Sequence, residues 1–379
     1  MTIYLDCNAT TPMEPKVRDA VFKYMTEEFG NAGSRTHEFG TRAKQAVQNA
    51  RDKVAEMVAA SREEVIFTSG ATESNNLALL GLREYGEQNA KRHIVSTQIE
   101  HKAVLEPLAV LEKSGFEVTL VPPTKGGWVE PEAIKEAVRD DTLLVSVMQV
   151  NNETGVVQPI TQIAEMLAEH PAYFHLDAAQ GFGKDITTLC NPRIDMISAS
   201  AHKIYGPKGV GALIVRRRDY QKIPLTPLMY GGGQERGLRA GTLPVHLIVG
   251  FGVATALALK HSEERAAICR AFRDDVLKAL APFKPVIHGD LDRCLPHVIN
   301  CSIAGLDSEA AMLALKGAIA ISNGSACTSS RYTSSHVLNA MKLPEEEIQG
   351  ALRMSWCHLT EPVDWHEIVE RLRLMESKL

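Results

Sequence analysis

Residues 64–76 read EVIFTSGATESNN, and this stretch decides the fold. Val65–Thr68 is a short β-rich run. Ser69-Gly70 interrupts it, and from Thr72 an amphipathic helical pattern runs to Glu87. A strand that turns through glycine directly into a helix is one half of a βαβ unit. The alternation continues to Val215. Further strands are expected at Ile94–Thr97, Glu117–Val121, Leu143–Met148, Tyr173–Leu176, Met196–Ser198 and Ala212–Val215. Helices are expected at Lys102–Ser114, Glu130–Arg139 and Ile160–Glu169. Strands and helices in alternation imply an α/β domain with a mostly parallel sheet covered on both faces.

Beyond Leu243-Pro244 a long helical pattern reaches about Leu280, and the prolines at 282 and 285 break it. From there short strands (Val298–Ser302, Ile319–Ser322, Arg353–Ser355) alternate with helices (Ser308–Lys316, Ser334–Met341, Val363–Glu376). The expected division is a large α/β domain over residues 15–260. A smaller α+β domain takes residues 1–14 and 261–379. The helices of the first fifty or so residues are expected to lie against the smaller unit.

Composition narrows the function. The chain has 379 residues, 45% apolar and 23% charged, with a net charge of −5. That balance argues against holding nucleic acid by bulk electrostatics, which needs a basic stripe. The seven cysteines contain no Cys-x-x-Cys pair, so neither zinc-ribbon nor thioredoxin spacing occurs. Their odd number fits no fully paired disulfide framework, and a reduced, cytoplasmic chain is the simplest expectation. Residues 1–12, MTIYLDCNATTP, lack the basic and apolar regions of a signal peptide. The longest apolar run, Leu247–Leu259, is shorter than the roughly 18 residues a membrane span needs, and reads as a buried helix.

In open α/β sheets ligands collect beyond the C-terminal ends of the strands. Four loops there carry candidate chemistry. Ser69-Gly70-Ala71-Thr72 opens a helix and offers backbone N–H groups to a phosphate; an ordinary capping turn is the alternative. Gln149–Gly155 (QVNNETG) places polar side chains after a strand, or is simply an Asn/Gly turn. Asp177 ends a buried strand, where a carboxylate is expensive without a partner; a cofactor cation, a lysine or a helix cap would serve. Lys203, in Ser200-Ala201-His202-Lys203, follows another strand. Desolvation there would make its amine nucleophilic, whereas a lone lysine is more often a surface one. Taken together, the four supply what pyridoxal phosphate needs: a phosphate site, an acid for the pyridinium nitrogen and a Schiff-base lysine. Metal ligands are not expected.

Two more segments stand out. Gly231–Thr242 (GGGQERGLRAGT) is a glycine-rich loop with two arginines, suited to close approach to an anion or else a linker. Gly324–Ser329 (GSACTS) sets Cys327 in a small, polar loop, an uncommon place for a free cysteine. Cys269 and Cys301 read as packing residues; Cys7, Cys190 and Cys294 stay open.

These strings resemble the NifS/IscS-type, group I cysteine desulfurases, which are fold-type I, aminotransferase-like pyridoxal-phosphate enzymes. The resemblance covers nearly the whole chain. It rests on Leu5-Asp6 with Ala9–Pro12, Phe67–Asn76, Glu100–Val104, Val150–Glu153, Asp177–Gln180, His202–Gly209, Arg239–Pro244 and Gly324–Ser329. It implies that Lys203 is the Schiff-base lysine, that Asp177 pairs with the pyridinium nitrogen and that Gln180 bonds the ring hydroxyl. His101 would stack on the ring and move protons. Ala71, Thr72, Ser200 and His202 would hold the phosphate, and Thr242 would reach the phosphate of a second subunit, implying a homodimer with shared sites. Asn152 and Arg353 would bind the carboxylate of L-cysteine, and Cys327 would accept its sulfur as a persulfide for an acceptor protein.

The chain departs from the family pattern at Asn31-Ala32-Gly33-Ser34, at Cys7 and at Ala201, none of which removes a catalytic group. The first departure and the GGGQERGLR loop are similar to the branch that supplies sulfur for DNA phosphorothioation; iron–sulfur cluster assembly and tRNA thiolation are the other destinations. A selenocysteine lyase or aminotransferase of the same fold is the alternative activity, and a non-catalytic scaffold the alternative class. Direct contact with nucleic acid or membrane is not expected.

Overall fold

A computed structural model describes residues 2–218, 220–323 and 334–376. Among the described residues twelve strands run in chain order: β1 (Ile3–Tyr4), β2 (Val65–Thr68), β3 (His93–Thr97), β4 (Glu117–Val121), β5 (Thr142–Met148), β6 (Tyr173–Asp177), β7 (Met196–Ser200), β8 (Gly211–Val215), β9 (Val286–Ile287), β10 (Val298–Ser302), β11 (Ile319–Ala320) and β12 (Leu352–Ser355). Seven form the central sheet in the order β2-β8-β7-β6-β5-β3-β4. Five of these, β3 to β7, are mutually parallel, while β8 runs antiparallel to both its neighbours. Two reversals restore direction, so β2 points the same way as β7. The C-terminal ends of β2, β3, β5, β6 and β7 therefore share one edge, where side chains from five loops converge.

The runs of β2, β3, β5 and β7 are wholly buried, as expected of a sheet covered on both faces, while the edge strand β4 is buried only at Val121. Val65, Phe67, Val145, Val147, Phe174 and Leu176 join one core with the helices on that side. Ile66, Ile94, Leu144 and Leu213 face a second cluster on the other side. The antiparallel sheet β12-β10-β9 and the parallel pair β1-β11 build a separate core with Leu5, Ile299, Leu352, Met354 and Trp356.

The helix Val245–Leu280 links the two regions. Its first half, through Ile248, Phe251, Ala254 and Ala258, packs in the large core, and Cys269, Val276 and Leu280 pack in the small one. The stretch Val245–Phe283 is long and apolar enough to cross a membrane by length and composition alone. Here it packs against the helices Pro15–Thr26 and Glu38–Met57, and its Phe251 ring meets Phe67 of β2. That arrangement corrects one expectation. Val17, Val21, Ala43, Val47, Ala50 and Val54 of these two early helices pack into the large core, not against the smaller unit. Gly252 makes the contact possible, since a Cβ there would lie 2.6 Å from Ala50.

The expected helix Thr72–Glu87 is two helices, Ala71–Leu80 and Arg83–Gln88. The break is at Gly81, whose carbonyl accepts from Thr226 N at 2.8 Å. A Cβ at Gly81 would meet Leu77 O at 2.3 Å and Thr226 O at 3.1 Å, so the glycine is what lets a chain segment 145 residues away approach the break.

Candidate active site

At the shared strand edge lies a cavity of about 480 Å³. Ala71, Thr72, His101, Asn152, Asp177, Gln180, Ser200, His202 and Lys203 all line it. Residues from five separate loops are thus brought to one place.

The helix Ala71–Leu80 starts at this cavity, with Gly70 as its N-cap. Gly70 has φ +150°, which side-chain-bearing residues rarely adopt, and a Cβ there would lie 3.4 Å from Ser200 Oγ. The glycine leaves the helix N-terminus and the Ser200 hydroxyl open to the same space. Gly211 serves the same end: a Cβ there would come 2.6 Å from the Gly70 Cα. Unpaired N–H groups and the positive end of the helix dipole favour an anion here.

Asp177, 5% exposed, ends β6. Its Oδ2 accepts from Asn75 Nδ2 at 2.8 Å and its Oδ1 from Ala179 N at 3.0 Å. Neutral donors hold the carboxylate in place and leave its charge available to a cation in the cavity. Gln180 donates from Nε2 to Asn8 O at 2.9 Å, while its buried Oε1 has no hydrogen-bond partner.

Lys203 follows β7 in a single 3₁₀ turn, Ala201–Lys203. It is half-buried, not a surface lysine. Its Nζ donates to Ala9 O at 3.0 Å and to Asn8 O. His202 Nδ1 lies 3.2 Å from Thr10 Oγ1, and its carbonyl accepts from Thr11 Oγ1 at 2.9 Å. Residues 8–11 thus lie along the Lys203 turn. Burial pushes the His202 imidazole down to about 4, and the Lys203 and Lys208 ammoniums act in the same direction.

His101 caps the helix Lys102–Lys113, its Nδ1 accepting from Ala103 N at 3.0 Å. That bond places the proton of the neutral ring on Nε2. Burial lowers its pKa, with Asp177 opposing and Lys203 assisting, so the ring is neutral at pH 7. Behind it Glu100 is fully buried, and burial raises its carboxyl to about 8.

Two expected residues do not line the cavity. Thr242 is exposed. Arg353, 1% exposed on β12, donates from Nη2 to Asp6 Oδ1 at 2.7 Å and from Nη1 to Asn152 O at 3.1 Å, with Nε unpartnered. Cys327 lies outside the described residues. The arginines of the glycine-rich loop bond within the chain: Arg239 Nε donates to Glu73 Oε1 at 2.9 Å, and Arg236 Nη1 to Val65 O at 3.0 Å. Burial opposes the charge of Glu73, yet bonds from Arg239 and Ser69 hold its carboxyl below the usual range. A buried pair, Arg51 Nη2 to Glu235 Oε1 at 2.6 Å, fixes the same loop. The segment is anchored, not a loose linker.

Sequence reasoning missed Asn8, Asn75 and Asp6. Asn8 supplies the carbonyl that Lys203 and Gln180 share, and Asn75 and Asp6 position Asp177 and Arg353. Asp6 and Asn75 stood inside recognised strings, but nothing local assigned them partners.

The aminotransferase class-V profile matches residues 3–364. A cysteine desulfurase IscS from Methylococcus capsulatus is 45% identical over 365 residues, 96% of this chain and 90% of its own. The solved structure of a NifS-like protein superimposes with a TM-score of 0.91 at 35% identity, covering 100% of both chains. DndA from Streptomyces lividans is 49% identical, with a TM-score of 0.82, covering 92% of this chain and 98% of its own. With full-length matches of this kind, the chain belongs to the aminotransferase class-V family, among the homologues of the IscS and NifS-like cysteine desulfurases.

Proposed function

We propose that this chain is a pyridoxal-phosphate-dependent cysteine desulfurase, converting L-cysteine to L-alanine and receiving the sulfur on Cys327 as a persulfide. The observation that carries the reading is the convergence of Lys203, Asp177, Gln180, His101 and an open helix N-terminus on one cavity. The donor set fits pyridoxal phosphate. The N-terminus of Ala71–Leu80, Thr72, Ser200 and His202 suit its phosphate. Asp177 suits a protonated ring nitrogen, and the unpartnered Gln180 Oε1 suits the ring hydroxyl. When bound, the cofactor supplies an electron-withdrawing ring that stabilises negative charge at the substrate α-carbon.

The chain's own residues do the rest. Lys203 Nζ, steered by the Asn8 and Ala9 carbonyls, is the amine that would hold the cofactor and, when free, would take the substrate α-proton. Asn152, which lines the cavity, would bind the substrate carboxylate, and Arg353 would add two-point recognition by exchanging its bonds to Asp6 and to the Asn152 carbonyl. His101 presents Nε2–H to the cavity. A second proton at Nδ1 would break its bond to Ala103 N, so its proton uptake is coupled to the start of the helix Lys102–Lys113. The Cys327 thiolate attacks the sulfur of cysteine. The new S–S bond forms as the substrate C–S bond breaks, and the β-carbon takes a proton to become the methyl of alanine.

A homodimer in which Thr242 completes the partner's phosphate site, a cytoplasmic setting and delivery of sulfur to an acceptor protein belong to this reading. The likeness to DndA supports DNA phosphorothioation as the destination. With net charge −5, transfer through a partner protein suits the chain better than direct contact with DNA. The test is to load the purified protein with pyridoxal phosphate and quantify alanine and sulfide from L-cysteine. Equal amounts of both are expected in the presence of a reducing thiol. A cofactor-loaded protein that forms neither overturns the reading.

A further inference from the structure

Cys7 and Cys357 have no part in the chemistry above, yet the fold sets them side by side. Ser355 N donates to Leu5 O at 2.8 Å and Cys7 N donates to Ser355 O at 3.0 Å. The N-terminal segment thus runs as a parallel neighbour of β12, and the chain beyond Trp356 brings Cys357 against it. The two side chains form one buried cluster with Tyr205. Within that cluster the two thiols are close enough to shift each other's proton affinity. Thr360 Oγ1 donates to Cys357 Sγ at 3.7 Å. Both cysteines line a cavity of about 440 Å³, separate from the active-site cavity and bordered by Tyr4, Thr10, Leu359 and Glu361.

The pair is electronically asymmetric. The interaction with Cys7 pulls the Cys357 thiol down to about 7 against the effect of burial, and the nearby Lys184 ammonium assists. The same interaction, with burial, pushes the Cys7 thiol up. Cys357 is thus the member that gives up its proton more readily.

We propose that Cys7 and Cys357 are a thiol–disulfide couple, a modification site that takes small disulfides from this cavity as co-reactant and closes into an intramolecular Cys7–Cys357 bond. The Cys357 thiolate attacks one sulfur of a disulfide RSSR. A mixed disulfide forms and RS⁻ leaves. Cys7 loses its proton and attacks the Cys357 sulfur, the internal bond forms, and a second RS⁻ leaves. The two protein thiols are oxidised, the small disulfide is reduced to two thiols, and the two protons released by the protein balance the two RS⁻. The link would join two elements of the active site. Cys7 leads into Asn8 and Ala9, which hold Lys203, and Cys357 follows the strand that carries Arg353. The inference goes beyond the desulfurase reading and does not depend on it.

The experiment incubates the full-length protein with 2-hydroxyethyl disulfide, alkylates it under denaturing conditions and maps its cysteines by peptide mass. The expected result is a Cys7–Cys357 cross-linked peptide, two hydrogens lighter than the reduced pair and reversed by dithiothreitol. In Cys7→Ser the mixed disulfide is expected to persist on Cys357. Exposed Cys190 serves as the internal control for reagent action. Recovery of Cys7 and Cys357 as alkylated thiols while Cys190 carries the adduct overturns the proposal. A wild-type mixed disulfide on Cys357 that never resolves overturns it equally.

Discussion

Asn75 Nδ2 lies 2.8 Å from Asp177 Oδ2, joining two buried side chains 102 residues apart at the base of the cavity. A neutral amide fixes the carboxylate without neutralising it. Asn75→Ala should leave Asp177 Oδ2 short of a donor and lower stability by about 1–3 kcal/mol. Cofactor affinity should fall with it. Asn75→Asp should be worse for the cofactor, because two adjacent buried carboxylates share a proton and the charge opposite the ring nitrogen is weakened. Titration with pyridoxal phosphate, read by absorbance, ranks wild type above the alanine variant and the alanine variant above the aspartate variant.

Of the two lysines that line the cavity, Lys203 and Lys208, Lys203 has its amine set by the Asn8 and Ala9 carbonyls. Borohydride should fix pyridoxal phosphate covalently to wild type at Lys203, as found by peptide mapping. Lys203→Ala should bind the cofactor without becoming labelled. Labelling of a different lysine in wild type would move the assignment.

Cys327→Ala should retain the yellow cofactor spectrum and lose sulfide release from L-cysteine. Sulfide release at the wild-type rate would remove the persulfide role.

Arg353 reaches Asp6 and Asn152 through separate nitrogens, a geometry that an ammonium cannot reproduce. Arg353→Lys should lower kcat/KM for L-cysteine roughly tenfold, equivalent to about 1.4 kcal/mol. The spectrum of the bound cofactor should be unchanged.

Glu100 gives a pH prediction. Its folded pKa is raised to about 8 by burial, so between the ordinary carboxylate range and pH 8 the folded chain holds a proton that the unfolded chain releases. Its stability contribution is present at low pH and is lost as pH rises through 8. The buried His175, with its pKa lowered to about 3 by burial, acts oppositely, but its contribution is complete above its unfolded pKa of about 6.5. Between pH 7 and 8.5 Glu100 acts to lower the denaturation midpoint, while Cys357, lowered to about 7, and Lys184, lowered by burial to about 8, act oppositely, so the effect is read as the difference between wild type and a Glu100 variant. Glu100→Gln, which can still accept from Thr97 Oγ1 and Met148 N, should lose less stability than wild type as the pH is raised from 7 to 8.5.

Much of this was legible from local pattern. Strand after strand appeared within a residue or two of its expected ends, because burial on both faces writes a continuous apolar run into the sequence. Asp177, Lys203 and the Gly70 turn were legible as candidates because each breaks such a run with a residue that needs a reason to be there. Local pattern did not show what each element packs against. The apolar stripes of Pro15–Thr26 and Glu38–Met57 declare that one face is buried, but the helix Val245–Leu280 that covers them is some 200 residues distant. The Asn75–Asp177, Asp6–Arg353 and Cys7–Cys357 pairs escaped for the same reason.

The sequence by itself thus determined the α/β class, the strand-end position of the chemistry and the residue types available for it, since these depend on periodicity and on interactions within one turn or strand. Only the tertiary structure decided the partners: which amide holds Asp177, which carbonyls steer Lys203, and that Cys7 has a second thiol beside it. Those contacts form where distant segments cross, and no spacing along the chain encodes the crossing.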